Sequence, residues 1–392
     1  MKQKRRFSRW FLFLAGGLLA LCLLATAVSA IYNNQLPTHS QNPSQLSTDD
    51  IARVQEVLHL HEALGDDIWP GWGEVDIPII VYNEAYAFLF NYAGTPPTGW
   101  AAGPTQAVQG SAWELVEDGM VAERPYYRQK LANDASPQAF ALLIGEDWGA
   151  ALATKEWMKI DLTQNIKQEL PPFLQPFFPY TLFVSQLINS SDHYVALFAH
   201  ETFHAWQAEQ QPAQFAAAED ATRLQDQYPW YDDAFITAWQ SELDLLTSAL
   251  EATSQDEQKA YAQQFLQQRQ TRREMANLSP ELIAYEQQRE WLEGTAKYVE
   301  LASWEAASQA EDFDSFLTAD ADFNQYNSFE QQWQRELAQM GRMADDEGDG
   351  RFYYTGWAQA TLLDRLLPNW KTRYMTEPIS LETLLAESIA SD

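Results

Sequence analysis

The chain contains one cysteine, Cys22, and it sits in an apolar N-terminal run, so the remainder can form no disulfide and offers no thiolate for nucleophilic or redox chemistry. Histidine is also scarce: there are six, and none follows His204. Basic residues are few, with 25 Lys and Arg against 55 Asp and Glu and a net charge of −30. Five of those basic residues (Lys2, Lys4, Arg5, Arg6, Arg9) cluster at the N-terminus, and removing them takes the charge to −35. Such a surface repels nucleic acid and anionic headgroups, which excludes nucleic-acid partners. No repeat of fixed period is present. With 46% hydrophobic and 13% aromatic residues in 392, the chain can nevertheless bury a large core.

What is present begins with the basic cluster and an apolar run from Trp10 to Tyr32. It reads as an export signal, with Val28-Ser29-Ala30 as a cleavage site, or as a single membrane anchor. Either places the body outside the cytoplasm, anchored by an N-terminal transmembrane helix or secreted. Residues 1–32 are taken as this segment and 33–49, rich in Asn, Gln, Ser and Pro, as a linker. Residues 50–210 are expected to form a sheet-containing lobe, and 211–392 a helical lobe. A helix is expected from Ile51 to about Gly65. Strand-like runs follow at Ile77–Tyr82 and Ala85–Phe90, and again at Ala139–Ile144 and Ala150–Thr154 around a Gly145–Gly149 turn. From Phe215 the pattern is helical, with Ser254 and Glu257 forming a capping box on a Gln-rich, solvent-facing helix. The class is α+β, a small N-terminal sheet followed by a mostly α-helical second half.

The most informative motif is His200-Glu201-Thr202-Phe203-His204, an H-E-x-x-H. Around it Val195, Phe198, Ala199, Phe203 and Trp206 recur at three- and four-residue steps, marking one buried helix face. Two imidazoles four residues apart then stack on one face and can share a tetrahedral Zn²⁺. Glu201, one residue round, can reach a water on the open position and act as general base. A catalytic zinc takes a third protein ligand. No later histidine can supply it, and His193, two turns before His200, lies about 10 Å away along the axis. A carboxylate is required. Glu293, in a helix opened by Ser279-Pro280, is the choice, and Gly294 beside it would admit a second backbone at close range. Glu219 and Asp220, nearer in sequence, remain rival ligands. Glu300, two turns beyond Glu293, could orient a histidine ligand.

H-E-x-x-H followed by a helix reading E-G-x-A-x-Y-x-E resembles the gluzincin branch of the zincin metallopeptidases. The resemblance covers two short helices and implies a zincin-like fold, with Glu293 as third ligand. The 89 residues between His204 and Glu293 are more than compact members of the group use. It also implies an oxyanion-stabilising tyrosine or histidine, and with every histidine at or before His204 the candidates are Tyr354 and Tyr353.

Two other stretches are read more plainly. Pro171–Tyr180 is a Pro-stiffened loop expected to pack its aromatic rings beneath it, although such a loop could also wall a cleft or touch a membrane. Asp345–Gly350 resembles a calcium loop but lacks the closing glutamate, so a solvated turn is expected. The expectation for the whole is a zinc-dependent metallopeptidase that hydrolyses peptide or protein substrates. The contrasting expectation is a non-enzymatic, membrane-anchored envelope scaffold or binding protein with a structural zinc site or a degenerate peptidase fold.

Overall fold

Strong period-2 patterning makes the sheet, and its two faces carry different cores. The computed structural model describes residues 29, 31–132, 136–138, 140–188 and 190–390. Helix α1 (Thr48–Ile68) opens on Ser47, whose hydroxyl accepts the Asp50 amide. Six strands follow: β1 (Ile79–Tyr82), β2 (Tyr86–Phe90), β3 (Glu114–Val121), β4 (Arg124–Lys130), β5 (Phe140–Ile144) and β6 (Asp147–Ala153). They lie in the order β3-β4-β2-β1-β6-β5, with only β1 and β6 parallel. Alternate residues Ile79, Val81, Phe88, Phe90, Ala150 and Leu152 join the main core. Ile80, Tyr82, Ala87, Leu89, Ala151 and Ala153 face a smaller cluster with Trp100 and Leu131.

The C-terminal half is helical: α2 (Lys155–Glu169), α3 (Tyr180–Leu187), α4 (Ser191–Gln210), α5 (Pro212–Ala221), α6 (Asp233–Glu251), α7 (Gln255–Met275) and α8 (Pro280–Arg289). A π-helical turn, Glu290–Gly294, joins α8 to α9 (Thr295–Gln309). After it come α10 (Phe329–Met340), α11 (Gly350–Leu366), α12 (Trp370–Thr376) and α13 (Leu381–Ala390). The mixed α+β class and helical second half agree with the sequence. Both expected hairpins form, and the hairpin of β3 and β4 is an addition. Its partly exposed, charge-bearing strands give no clean alternation to read.

Helix α4 lies across the first face of the sheet. Val195, Phe198, Ala199 and Phe203 are buried, and Trp69 packs edge-on or tilted against Phe203, Trp206 and Trp370. Burying each such ring contributes roughly 1.5–3 kcal/mol, which fixes α4 as the rigid centre of the fold. α7 presents glutamines outward as expected, but its opposite side buries Arg269 and Arg272. With Arg273 these meet Glu242, Glu286, Glu290 and Glu382 from four other elements. Glu290, the first residue of the π-turn, is thereby tied to α6 and α7.

Two expectations are corrected. Among the described residues no helix is long and apolar enough to cross a membrane, so the transmembrane anchor is withdrawn. The run it was read from, Trp10–Tyr32, lies outside the described residues except for Ser29, Ile31 and Tyr32. The Pro171–Tyr180 loop tucks in only part of its aromatic set: Tyr180 is buried with half-buried Phe178 packed on it, but Phe173 is 71% exposed and Phe177 49%. Four prolines within nine residues deny that stretch the helical repeat that would turn its rings inward.

Gly294 and Gly356 meet where α11 crosses the π-turn. A Cβ on Gly294 would stand 2.5 Å from the Gly356 Cα, and the reverse substitution is equally close. Gly294→Ala and Gly356→Ala should each cost about 1–3 kcal/mol or more through overpacking. Gly341→Ala, with no atom nearer than 3.8 Å and a helical φ of −62°, should be neutral or stabilising. Chemical denaturation of the three variants checks this, and equal stability of all three would refute the crossing.

Candidate metal centre

Helix α4 begins at Ser190, whose hydroxyl accepts the His193 amide; Asp192 instead accepts the amides of Asn324 and Tyr326. Further along the helix, the His200 and His204 rings leave it on one face. Their Nε2 atoms are 3.0 Å apart. From the facing π-turn, Glu293 Oε2 reaches within 3.6 Å of His200 Nε2 and 3.4 Å of His204 Nε2. The three residues are buried, and their ligand atoms converge within 4.8 Å; the group can hold a metal ion. Glu293 Oε2 receives no hydrogen bond from the protein. A buried, undonated carboxylate oxygen aimed at two imidazole nitrogens is an arrangement in which a cation could sit between them.

The π-turn shapes this geometry. The Thr295 amide bonds back to the Glu290 carbonyl, five residues away, which deprives the Trp291 carbonyl of its regular helical partner. That carbonyl accepts instead from Gln207 Nε2 at 2.9 Å and from the Thr295 hydroxyl at 2.6 Å. Gln207 Nε2 also donates to Thr295 Oγ1 at 3.0 Å, so the orientation of the amide is determined. Gln207 Oε1 then faces His204 Nδ1 at 3.0 Å and must accept its proton. His204 therefore presents the Nε2 lone pair to the cluster, the tautomer a metal ligand requires.

His200 Nδ1 lies 3.4 Å from Glu300 Oε2, and Glu300 is itself bonded to buried Lys297 at 2.7 Å. Burial alone would lower the His200 pKa, but Glu293, Glu300 and Glu201 outweigh it and push it up to about 10. Glu201 is buried beside both histidines, and its Oε2 has no donor. Desolvation raises its pKa, the histidines oppose this, and Glu293 and Glu300 add to it. Glu293 is held well below the carboxylate range: burial would raise it, but His204, His200 and Arg289 prevail.

The structure separates the remaining candidates. The Tyr353 ring stacks on His200, with centroids 5.6 Å apart and 12° between planes, and its hydroxyl approaches Glu293. Tyr354 points elsewhere: its hydroxyl donates to Glu336 at 2.7 Å, which pairs with Lys297. Glu219 lies outside the converging group, 3.8 Å from Arg289. Asp220 is exposed and paired with Arg223. Asp345–Gly350 behaves as a turn: Asp346 accepts the Gly350 amide, and Asp349 is taken by Arg289. Two residues at the site escaped sequence reasoning. Gln207 stands three residues after His204 and Arg289 four before Glu293, so helical spacing from each ligand was the available signal.

No protein-family model, curated protein or solved structure matches the chain.

With Glu293, Glu300 and Glu201 pushing the His200 pKa up to about 10, a metal bound there at neutral pH would displace its proton. Zinc added at pH 8 should release about one proton per site, and affinity should climb with pH. A pH-indicator titration in weak buffer checks this, and uptake without proton release would contradict it. Gln207→Met should lower zinc affinity about 10–100-fold with little change in fold, measured by chelator competition.

Proposed function

We propose that the chain is a zinc-dependent metallopeptidase of the zincin type. The carrying observation is Glu201, a buried carboxylate whose Oε2 has no hydrogen-bond partner, beside two imidazoles that converge with Glu293. A purely structural metal site has no use for that group, and this favours the enzyme over a scaffold. Zinc held by His200 Nε2, His204 Nε2 and Glu293 would supply Lewis acidity toward a carbonyl oxygen and a water.

The protein's own groups do the rest. Glu201, with its proton affinity raised by burial, takes a proton from the attacking water and delivers it to the leaving amine. Tyr353, raised well above the ordinary phenol by burial first and then by Glu293, keeps its proton and donates a hydrogen bond to the developing oxyanion. Glu300 and Gln207 hold the two imidazoles in register from behind. Strand β5 ends the sheet, and its Phe140 ring lies 5.6 Å from His204. Leu143 on the outer edge of β5 is already bonded to Ala101 through both its amide and its carbonyl, which leaves the Phe140–Ala141 end beside the site for an extended peptide added antiparallel.

Glu201→Gln should abolish peptide hydrolysis yet bind zinc as the wild type does. Loss of zinc in that variant would reassign the residue to the ligand set. Tyr353→Phe should lower kcat about 10–100-fold at unchanged zinc content, whereas Tyr354→Phe, whose hydroxyl serves Glu336, should leave kcat within about threefold. Steady-state kinetics on a quenched-fluorescent peptide library provide the measurement, and the reverse ranking of the two tyrosines would remove Tyr353 from the mechanism.

A further inference from the structure

We infer that Arg289 is a positioning residue that selects which oxygen of Glu293 faces the metal, and that it does so with a fork shared between Glu293 and Asp349. The inference rests on reading His200, His204 and Glu293 as a zinc site. Arg289 ends α8, four residues before Glu293, and its side chain is buried. Its Nη2 donates to Glu293 Oε1 at 2.8 Å and to Asp349 Oδ2 at 2.7 Å. Nε completes the grip on Asp349 with a bond of 2.9 Å to Oδ1, and Nη1 reaches the Ala218 carbonyl at 3.3 Å. Every guanidinium nitrogen is therefore used, and the plane of the fork is fixed from three directions.

The two oxygens of Glu293 are thereby made unequal. Oε1 accepts a charged donor, while Oε2 has none and points at both imidazoles. Without Arg289 that charged donor on Oε1 is lost, and Glu293 could swing or chelate through both oxygens. The charge matters as well as the direction. Glu293, Asp349 and Glu219 all approach this one guanidinium, and its loss would leave buried Glu293 facing two partly exposed carboxylates with no counter-charge between them. A lysine could neutralise them but could not hold two carboxylates in one plane, because an ammonium lacks the planar fork.

Asp349 carries the effect to the catalytic face. It immediately precedes α11, and its carbonyl accepts the amide of Tyr353, 2.9 Å away. The same guanidinium that orients the third ligand thus fixes the first turn of the helix from which Tyr353 stacks on His200. Ligand and oxyanion donor come from elements 60 residues apart, and Arg289 is the hydrogen-bonded joint between them.

The test is metal affinity and ligand geometry in the full chain, without reference to turnover. Zinc affinity is measured by chelator competition, and coordination by the visible d–d absorption of Co²⁺, for wild type, Arg289→Lys and Arg289→Met. Wild type should give the intense spectrum of a four-coordinate site. Arg289→Met should bind zinc about 10–100-fold more weakly, with a weaker cobalt spectrum as Glu293 becomes free to bind through both oxygens. Arg289→Lys, which retains the charge, should keep the thermal midpoint of the metal-free protein and still show the altered spectrum. That variant separates positioning from folding should Arg289→Met prove unstable. A folded Arg289→Lys with wild-type affinity and spectrum would overturn the inference while leaving the metal site intact. A wild type that takes up neither ion would sink the metal-site reading and this inference together.

Discussion

The site depends on one electrostatic constraint: Glu201, Glu293 and Glu300 are buried around two imidazoles, and their charge must be answered locally. Burying an unpaired carboxylate costs several kcal/mol, so each needs a cationic partner or a proton. Arg289 answers part of Glu293 and Lys297 answers Glu300. What remains draws a proton onto His200, whose pKa is pushed up to about 10 although burial works against it. A divalent cation at the convergence of Nε2, Nε2 and Oε2 resolves the same imbalance without that proton. The convergence of these three ligand atoms is one that could hold a metal ion.

The second constraint is geometric and lies in the π-turn. One extra residue in the helical repeat frees the Trp291 carbonyl to hold Gln207. Gln207 in turn sets the His204 tautomer. Gly294 closes the turn, and Gly356 lets α11 approach close enough to bring Tyr353 onto His200. The buried arginine cluster on α7 reaches the same turn through Glu290, which also accepts the Thr355 hydroxyl of α11. Such a cluster is weak evidence for net stability, but removing a single member would cost about 3–5 kcal/mol. It holds the wide turn from one side while Gln207 holds it from the other.

How much of this could be read in the sequence follows from how local each determinant is. His200, Glu201 and His204 share one helix, so four-residue spacing and the apolar stripe of Val195, Phe198 and Phe203 were enough to place them on one face. Glu293 was legible because metal-site chemistry demanded a carboxylate and Gly294 marked a close approach. The 89 residues between carried no signal of their own. The π-turn was not legible, because no residue type encodes an i to i+5 bond and the segment reads as plain helix. Choosing between Tyr353 and Tyr354 required the rotation of α11, which Asp349 and Gly356 set through contacts with distant elements. The strands β3 and β4 were hidden by their charged faces. Arg289 was hidden by the ordinary look of an arginine at the end of a helix.

The central claim is that His200, His204 and Glu293 together hold zinc, and the most direct measurement is metal content per chain by elemental analysis, wild type beside Glu293→Ala. The account predicts one zinc per folded wild-type chain and its loss in the variant. A folded wild-type protein that retains no zinc after equilibration, or a variant that retains it fully, would contradict the account.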